Sequence, residues 1–112
     1  MTRTEVVKGA IARLPRVRLA HLPTPLMEAG RLSRTLGGPR IVIKRDDLTE
    51  LPLTGNKTRM FEFSLARALE LGADTVVFSS SVQSNYCRQL ALACALLGID
   101  VHLVLNPIRG QK

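Results

Sequence analysis

The chain has 112 residues, enough for at most one small domain, and 46% of them are apolar. The net charge of +7 is uneven: residues 1–45 carry ten Lys or Arg against two acidic residues, and residues 46–112 carry six against seven. No apolar run reaches the roughly 18 residues of a membrane span, and residues 1–14 lack the apolar core of a secretory signal, so we expect a cytoplasmic protein without a membrane partner.

The N-terminal third is predicted to be largely irregular. Two prolines close together exclude a helix over residues 21–26, because proline fixes φ and has no N–H donor. The predicted elements that follow are an extended segment over 21–26, a helix over 27–36, a strand over 41–44 and a loop over 45–53. Within that loop, Asp46 and Asp47 are predicted to pair with Lys44 or Arg45.

The rest of the chain alternates helices and strands. Helical spacing predicts a helix over 56–71 that buries Phe61, Leu65, Ala68 and Leu69 and leaves Glu62 on another face. A strand is predicted over 75–78 and another over 101–105. The helix between them is predicted to bury the apolar residues at 90, 93, 94 and 97 and to end at glycine 98.

The order strand–helix–strand–helix–strand is typical of two successive βαβ units. We therefore predict an α/β fold with a three-stranded parallel sheet and right-handed crossovers. Ligands bind at the carboxyl ends of the strands in such sheets. Lys57 precedes its helix, and Ser84 and Asn85 follow the strand over 75–78, so all three are predicted to lie at this edge.

Lys57 is the residue best suited to covalent chemistry. It stands where a loop turns into a helix, and the helix dipole there disfavours added positive charge and so favours the neutral amine. A neutral amine reacts with carbonyl groups, and Schiff-base formation with pyridoxal phosphate is the main biological use of such a lysine. From spacing alone, a lysine such as Lys57 is more often a surface residue at a helix start, and Ser84 and Asn85 are more often plain helix caps.

Other functional classes are less well supported. Residues 54–58 lack the Gly–Lys pair and the upstream glycine of a P-loop, and the serines at 79–81 and 84 do not form a G-x-S-x-G motif. The basic residues of 1–45 are dispersed and have no aromatic neighbours for stacking, so we predict no nucleic-acid partner. Cys87 and Cys94 fall about 10 Å apart on a helix, so both are predicted to be reduced, and no metal site is predicted.

Several motifs in order resemble one enzyme family. They are Ile43–Thr49, Gly55–Arg59 with Glu62 and Phe63, Gly72–Val76, and Val82–Asn85 with Cys87–Gln89. Over roughly residues 22–105 the chain resembles the D-cysteine desulfhydrase and 1-aminocyclopropane-1-carboxylate (ACC) deaminase family, of the tryptophan-synthase-β type. The resemblance implies pyridoxal 5′-phosphate as cofactor and the βαβαβ parallel-sheet portion of a fold-type-II enzyme. It divides the chain into an arm over 1–40 and a segment over 41–112 that carries the lysine.

The resemblance also implies roles for single residues. Lys57, preceded by Asn56, matches the lysine that holds the cofactor covalently and later moves protons. Asn85 matches the asparagine that binds the cofactor's phenolic oxygen and lies near the substrate. Ser84 matches a serine beside the substrate, a candidate nucleophile or proton relay. Gln83 and Tyr86 are expected on the substrate side, with Gln83 near the carboxylate.

The activity that the resemblance implies is a lyase or deaminase reaction on a small amino acid. We favour β-elimination from D-cysteine to pyruvate, ammonia and sulfide over the ring opening of ACC. Family members are much longer and form homodimers. We therefore expect a fragment whose phosphate-binding turn and pyridine-nitrogen partner lie beyond residue 112. An inactive remnant or an interaction module is the remaining alternative.

Overall fold

The computed structural model describes residues 1–49 and 55–107. Within these ranges the elements in chain order are α1 (Arg3–Ala12), β1 (Leu26–Glu28), α2 (Gly30–Leu36), β2 (Val42–Lys44), a 3₁₀ helix (Asp46–Leu48), α3 (Thr58–Glu70), β3 (Thr75–Ser81), α4 (Asn85–Leu97) and β4 (Asp100–Asn106). None of the helices in these ranges has the length and apolar character needed to cross a membrane. Residues 50–53 of the predicted loop lie outside the described residues.

The strands β3 and β4 pair in parallel, and α4 is the crossover between them. The register runs from Thr75 opposite Asp100 to Ser81 opposite Asn106. Gly98 ends α4 at φ 67°, a left-handed conformation that glycine adopts without steric cost. The predicted α/β class and the second βαβ unit are confirmed, and both strands are longer than predicted.

The core lies between α3, α4 and one face of the β3–β4 sheet. Its fully buried side chains include Phe61, Leu65, Leu90, Ala93 and Cys94. Alternate strand residues pack against this cluster from the sheet, namely Val76, Phe78, Val101 and Leu103. Both predicted helix faces are thus largely confirmed, although the side chain of Leu69 is 38% exposed.

The predicted first βαβ unit is wrong for the described residues, because β2 does not join β3 and β4. It pairs antiparallel with β1, with Leu26 opposite Lys44 and Glu28 opposite Val42. Every residue of β1 and β2 is exposed, so neither strand has a buried face that would pack it beneath the helices. The β-branched residues of β2 predict a strand but carry no information on its partner. Because β1 takes Met27 and Glu28, the helix predicted over 27–36 begins at Gly30.

The prediction of an irregular N-terminus missed α1. Thr2 Oγ1 accepts a hydrogen bond from the Glu5 N–H at 3.2 Å, and Glu5 Oε2 accepts one from the Thr2 N–H at 2.6 Å. This reciprocal capping box has a T-x-x-E sequence signal that starts the helix. All residues of α1 are exposed. The division of the chain after residue 40 stays a prediction.

Candidate active site

Lys57 is the N-cap residue of α3. Its backbone is already helical, at φ −74° and ψ −25°, and its carbonyl accepts the first helical hydrogen bonds, from Met60 N at 2.9 Å and Phe61 N at 3.0 Å. The side chain is half-buried, and among the described residues no group pairs with its amine. Asn56 before it is exposed, whereas Thr58 after it is fully buried. The lysine therefore lies where the loop turns into the helix, as the sequence predicts.

The turn before Lys57 depends on glycine at position 55. Gly55 has φ +148°, and a Cβ on it would lie 2.7–2.9 Å from the side-chain amide of Gln89. On its other side Thr49 Oγ1 donates to the Gly55 carbonyl at 3.2 Å and accepts from the Gly55 N–H at 3.4 Å. The buried Thr49 and Gln89 thus hold the turn that carries Lys57.

Ser84 and Asn85 start α4, directly after the carboxyl end of β3. Ser84 is the N-cap residue, and its Oγ accepts a hydrogen bond from Cys87 N at 3.4 Å. The Ser84 N–H donates to the carbonyl of Ser81 at 3.0 Å, which closes the turn between strand and helix. Gln83 and Asn85 are exposed. The predicted cap at Ser84 is confirmed.

Gln89 connects these two turns. Its Nε2 donates to the carbonyl of Asn85 at 3.2 Å, while the other side of its amide faces Gly55. The turn that carries Lys57 therefore lies beside the first turn of α4. That Lys57, Ser84 and Asn85 lie together at one edge of the sheet stays a prediction. In the sequence Gln89 belongs to the Cys87–Gln89 motif, but no local pattern predicts its contact with Gly55. The chemical roles of Lys57, Asn56, Gln83, Ser84 and Asn85 stay predictions.

The ring of Tyr86 packs inward. It stacks on Phe78 with centroids 4.2 Å apart and an interplanar angle of 20°, and it meets the edge of Phe61 at 4.9 Å and 83°. Burial raises the pKa of its hydroxyl, and the neighbouring Cys87 and Cys94 act in the same direction. This packing makes Tyr86 a support between β3 and α3. Its predicted substrate contact stays a prediction.

Asp46 and Arg59 anchor the first turn of α3. Arg59 Nε donates to Asp46 Oδ2 at 2.6 Å, Arg59 Nη2 donates to Oδ1 at 2.8 Å, and Thr24 Oγ1 donates to Oδ1 at 2.7 Å. Arg59 first, and then Thr24, lower the pKa of Asp46 from its usual 3.8 to about 2. The sequence predicts that Asp46 pairs with Lys44 or Arg45, but its hydrogen-bond partners are the more distant Arg59 and Thr24, and Lys44 acts on its pKa only through its charge. Asp47 pairs with Arg45 as predicted, at 2.6 Å.

Glu62 is a buried carboxylate, so the prediction that it lies on another face of α3 than the apolar residues is wrong. It is 1% exposed and accepts hydrogen bonds from the backbone N–H groups of Leu19 and Ala20, each at 3.0 Å, and from Arg16 Nε at 2.8 Å. Burial by itself would raise the pKa of Glu62, but these donors outweigh it and the pKa is lowered. Helical spacing from Leu65, three residues later, was the signal available for its burial.

Comparisons with known proteins agree on one family. The family model described as "Pyridoxal-phosphate dependent enzyme" matches residues 17–111. D-cysteine desulfhydrases of Salmonella paratyphi B and Salmonella newport are each 48% identical over 99 residues, which covers 88% of this chain and 30% of each relative. A solved structure of an ACC deaminase homologue superposes with a TM-score of 0.83 at 40% identity, covering 94% of this chain and 31% of that one.

Proposed function

The chain belongs to the family of pyridoxal-phosphate-dependent enzymes, and from this premise we propose that it carries the cofactor-binding lysine of a lyase acting on D-cysteine. The reaction is a β-elimination that, with water, yields pyruvate, ammonia and sulfide. One observation carries the proposal: Lys57, whose amine pairs with none of the described residues, begins α3 beside the first turn of α4. Because the chain spans 30% of the curated relatives' length, the activity, substrate and assembly of the whole protein are proposals.

The donor set around Lys57 fits the cofactor. An aldehyde needs a neutral amine without a competing carboxylate, and no described carboxylate pairs with Lys57. Gly55 has no side chain of its own, so its backbone lies directly against the Gln89 side chain of α4. The exposed amide of Asn85 offers N–H donors to a phenolic oxygen, and Asn56 is exposed next to the lysine.

Each residue then has a stated task. Lys57 Nζ would hold the cofactor at its aldehyde group, and the same amine would move the α-proton of the substrate. When bound, the cofactor supplies an electron sink for the bonds at that carbon. The first backbone N–H groups of α4 receive the substrate carboxylate, because a helix N-terminus favours anions. Ser84 Oγ lies beside this position and relays protons, with Gln83 next to it.

The test is to incubate the chain with pyridoxal phosphate, reduce with borohydride and map the modified lysines by mass spectrometry. The sequence has only four lysines, at 8, 44, 57 and 112, so the map is simple. Exposed Lys8 is the internal control, and Lys57→Ala is the matched variant. We expect selective modification of Lys57 and none above background in Lys57→Ala. Equal modification of Lys8 and Lys57 would overturn the proposal for this chain.

Deamination of ACC is the second candidate function, favoured by the structural similarity to an ACC deaminase homologue. The two candidates differ in their products, because only cysteine releases sulfide. We expect sulfide from D-cysteine, less from L-cysteine, and no ammonia from ACC. Ammonia from ACC without sulfide from D-cysteine would favour the second candidate. Release of neither product would favour an inactive remnant or an interaction module.

The cellular compartment and the oligomeric state of the protein stay predictions. Cys87 and Cys94 are both buried free thiols, which suits a reducing compartment such as the cytoplasm. A homodimer is predicted from the family resemblance alone, and size-exclusion chromatography with light scattering tests it.

A further inference from the structure

Gln89 is a buried polar side chain to which the proposed chemistry gives no task. It is 2% exposed and lies one turn into α4. Its Nε2 donates to the carbonyl of Asn85, but its Oε1 is buried without a hydrogen-bond partner among the described residues. An unsatisfied buried acceptor destabilises the folded state, so an amide at this position needs an explanation.

The contact with Gly55 suggests that explanation. A Cβ built on Gly55 would meet Gln89 Nε2 at 2.7 Å, Oε1 at 2.8 Å and Cδ at 2.9 Å, so the backbone of Gly55 lies directly against the amide. Gly55 stands two residues before Lys57, and the hydrogen bond to Asn85 fixes the amide from the α4 side. One planar group therefore separates the turn that carries Lys57 from the residue predicted to bind the cofactor's phenolic oxygen.

We propose that Gln89 is a positioning residue that sets the distance between Lys57 and the first turn of α4, so that one cofactor reaches both. This inference rests on the proposed function. The planar amide, held at Asn85, is a spacer of fixed thickness, whereas an unbranched apolar side chain of similar volume adopts several conformations. Gly55 completes the arrangement, because any other residue there would push the lysine turn away.

The test compares the wild type with Gln89→Met and with Cys94→Ala, a control buried in the core on the same helix. Gln89→Met keeps most of the volume and removes both the hydrogen bond and the unsatisfied oxygen, so we expect its thermal midpoint within about 3 °C of the wild type. Its rate of reductive labelling by pyridoxal phosphate at Lys57 should fall about tenfold relative to Lys8, since misplacing reacting groups by about 1 Å costs up to about a hundredfold. Cys94→Ala should lower the thermal midpoint without this loss.

A second probe works without the cofactor. Formaldehyde and borohydride methylate lysine amines. In Gln89→Met the Gly55 turn should open locally more often, because the amide no longer holds it. We therefore expect the ratio of methylation at Lys57 to methylation at Lys8 to rise about threefold over the wild type. If the wild type shows no selective labelling of Lys57 by pyridoxal phosphate, the proposed function fails. If the methylation ratio is the same in Gln89→Met and the wild type, the positioning role fails. If the wild type is labelled and Gln89→Met is labelled equally fast, only the positioning role fails. A larger fall in thermal midpoint for Gln89→Met than for Cys94→Ala would make Gln89 a structural group and overturn the inference.

Discussion

Arg59 binds Asp46 through two nitrogen atoms, at 2.6 and 2.8 Å, across 13 residues of sequence. The pair joins the first turn of α3, two residues after Lys57, to the 3₁₀ helix that follows β2. Thr24 adds a hydrogen bond to the same carboxylate, and Lys44 donates to the Thr24 carbonyl. The β1–β2 pair and the first turn of α3, at whose start Lys57 lies, are therefore connected by a network of hydrogen bonds between charged and polar groups.

Replacing Asp46 should destabilise the chain. Asp46→Asn removes the charge that Arg59 faces, and charged hydrogen bonds at a partly exposed site contribute about 1–2 kcal/mol, so we expect a loss of that size in unfolding free energy. Asp47→Asn is the matched control, because its pair with Arg45 is exposed, and it should change stability very little. Urea unfolding followed by circular dichroism measures both. Equal losses of unfolding free energy in the two variants would contradict a stabilising role of the Asp46–Arg59 pair.

The same carboxylate predicts how stability depends on pH. The pKa of Asp46 is lowered from 3.8 to about 2 in the folded chain, so its contribution is fully present above about pH 4 and is lost as pH falls through about 2. The stability difference between the wild type and Asp46→Asn should therefore be constant near neutral pH and shrink in acid. Urea unfolding of both proteins at a series of pH values measures this difference. If the stability difference between the two proteins grew as the pH falls, the lowered pKa of Asp46 would be ruled out.

Glu62 should be the more sensitive carboxylate. It is 1% exposed and binds Arg16 and two backbone N–H groups, so Glu62→Gln leaves donors without a charged acceptor and should cost about 3 kcal/mol. Glu70→Gln, in the exposed pair with Arg67, is the control on the same helix and should be nearly neutral. Thermal unfolding measures both variants. Similar midpoints for Glu62→Gln and Glu70→Gln would contradict the stabilising role of the buried Glu62 carboxylate.

Gly98 and Gly9 should respond oppositely to alanine. A Cβ on either glycine meets no atom within 4 Å, so only backbone conformation distinguishes them. Gly98 has φ 67°, and Gly98→Ala should lose about 1 kcal/mol of unfolding free energy. Gly9 lies inside α1, where alanine is the better helix former, so Gly9→Ala should leave stability unchanged or raise the helical circular dichroism signal. A loss in both variants would mean that steric contacts matter at one of them.

Ser84 combines a cap with a proposed proton relay, and two variants separate these tasks. Ser84→Ala removes the acceptor for Cys87 N and should cost about 1 kcal/mol. Ser84→Asn keeps a capping oxygen and should retain stability, but it removes the hydroxyl group. We expect both variants to lose sulfide release from D-cysteine. Retained activity in Ser84→Asn would leave Ser84 with a capping task alone.

Local signals could be predicted from the sequence, whereas partners distant in sequence could not. The start of α3, predicted at residue 56 and observed at Thr58, the cap at Ser84 and the end of α4 at Gly98 each depend on a few neighbouring residues, so the sequence predicts them closely. Glu62 finds its partners 42 to 46 residues away, and Gln89 meets Gly55 across 34 positions. Periodicity says which face of a helix is apolar but does not say which charge or turn will reach it.

The antiparallel pairing of β2 with β1 follows the same principle. Composition predicts a strand over 41–44, but the choice of partner depends on where residues 26–28 return in space. The connection through α2 brings them together, and both strands stay exposed. A parallel partner would have required a buried face that Val42–Lys44 does not have.

The six residues from Lys57 to Glu62 carry different tasks within less than two helical turns. They include the proposed covalent lysine, two ion-pairing side chains and the core residue Phe61. In a mutant library screened for activity alone, losses at Arg59 or Glu62 would look the same as losses at Lys57, although their cause is a reduced amount of folded protein. A screen that also scores the abundance of folded chain would single out Lys57, as the position where activity falls and abundance does not.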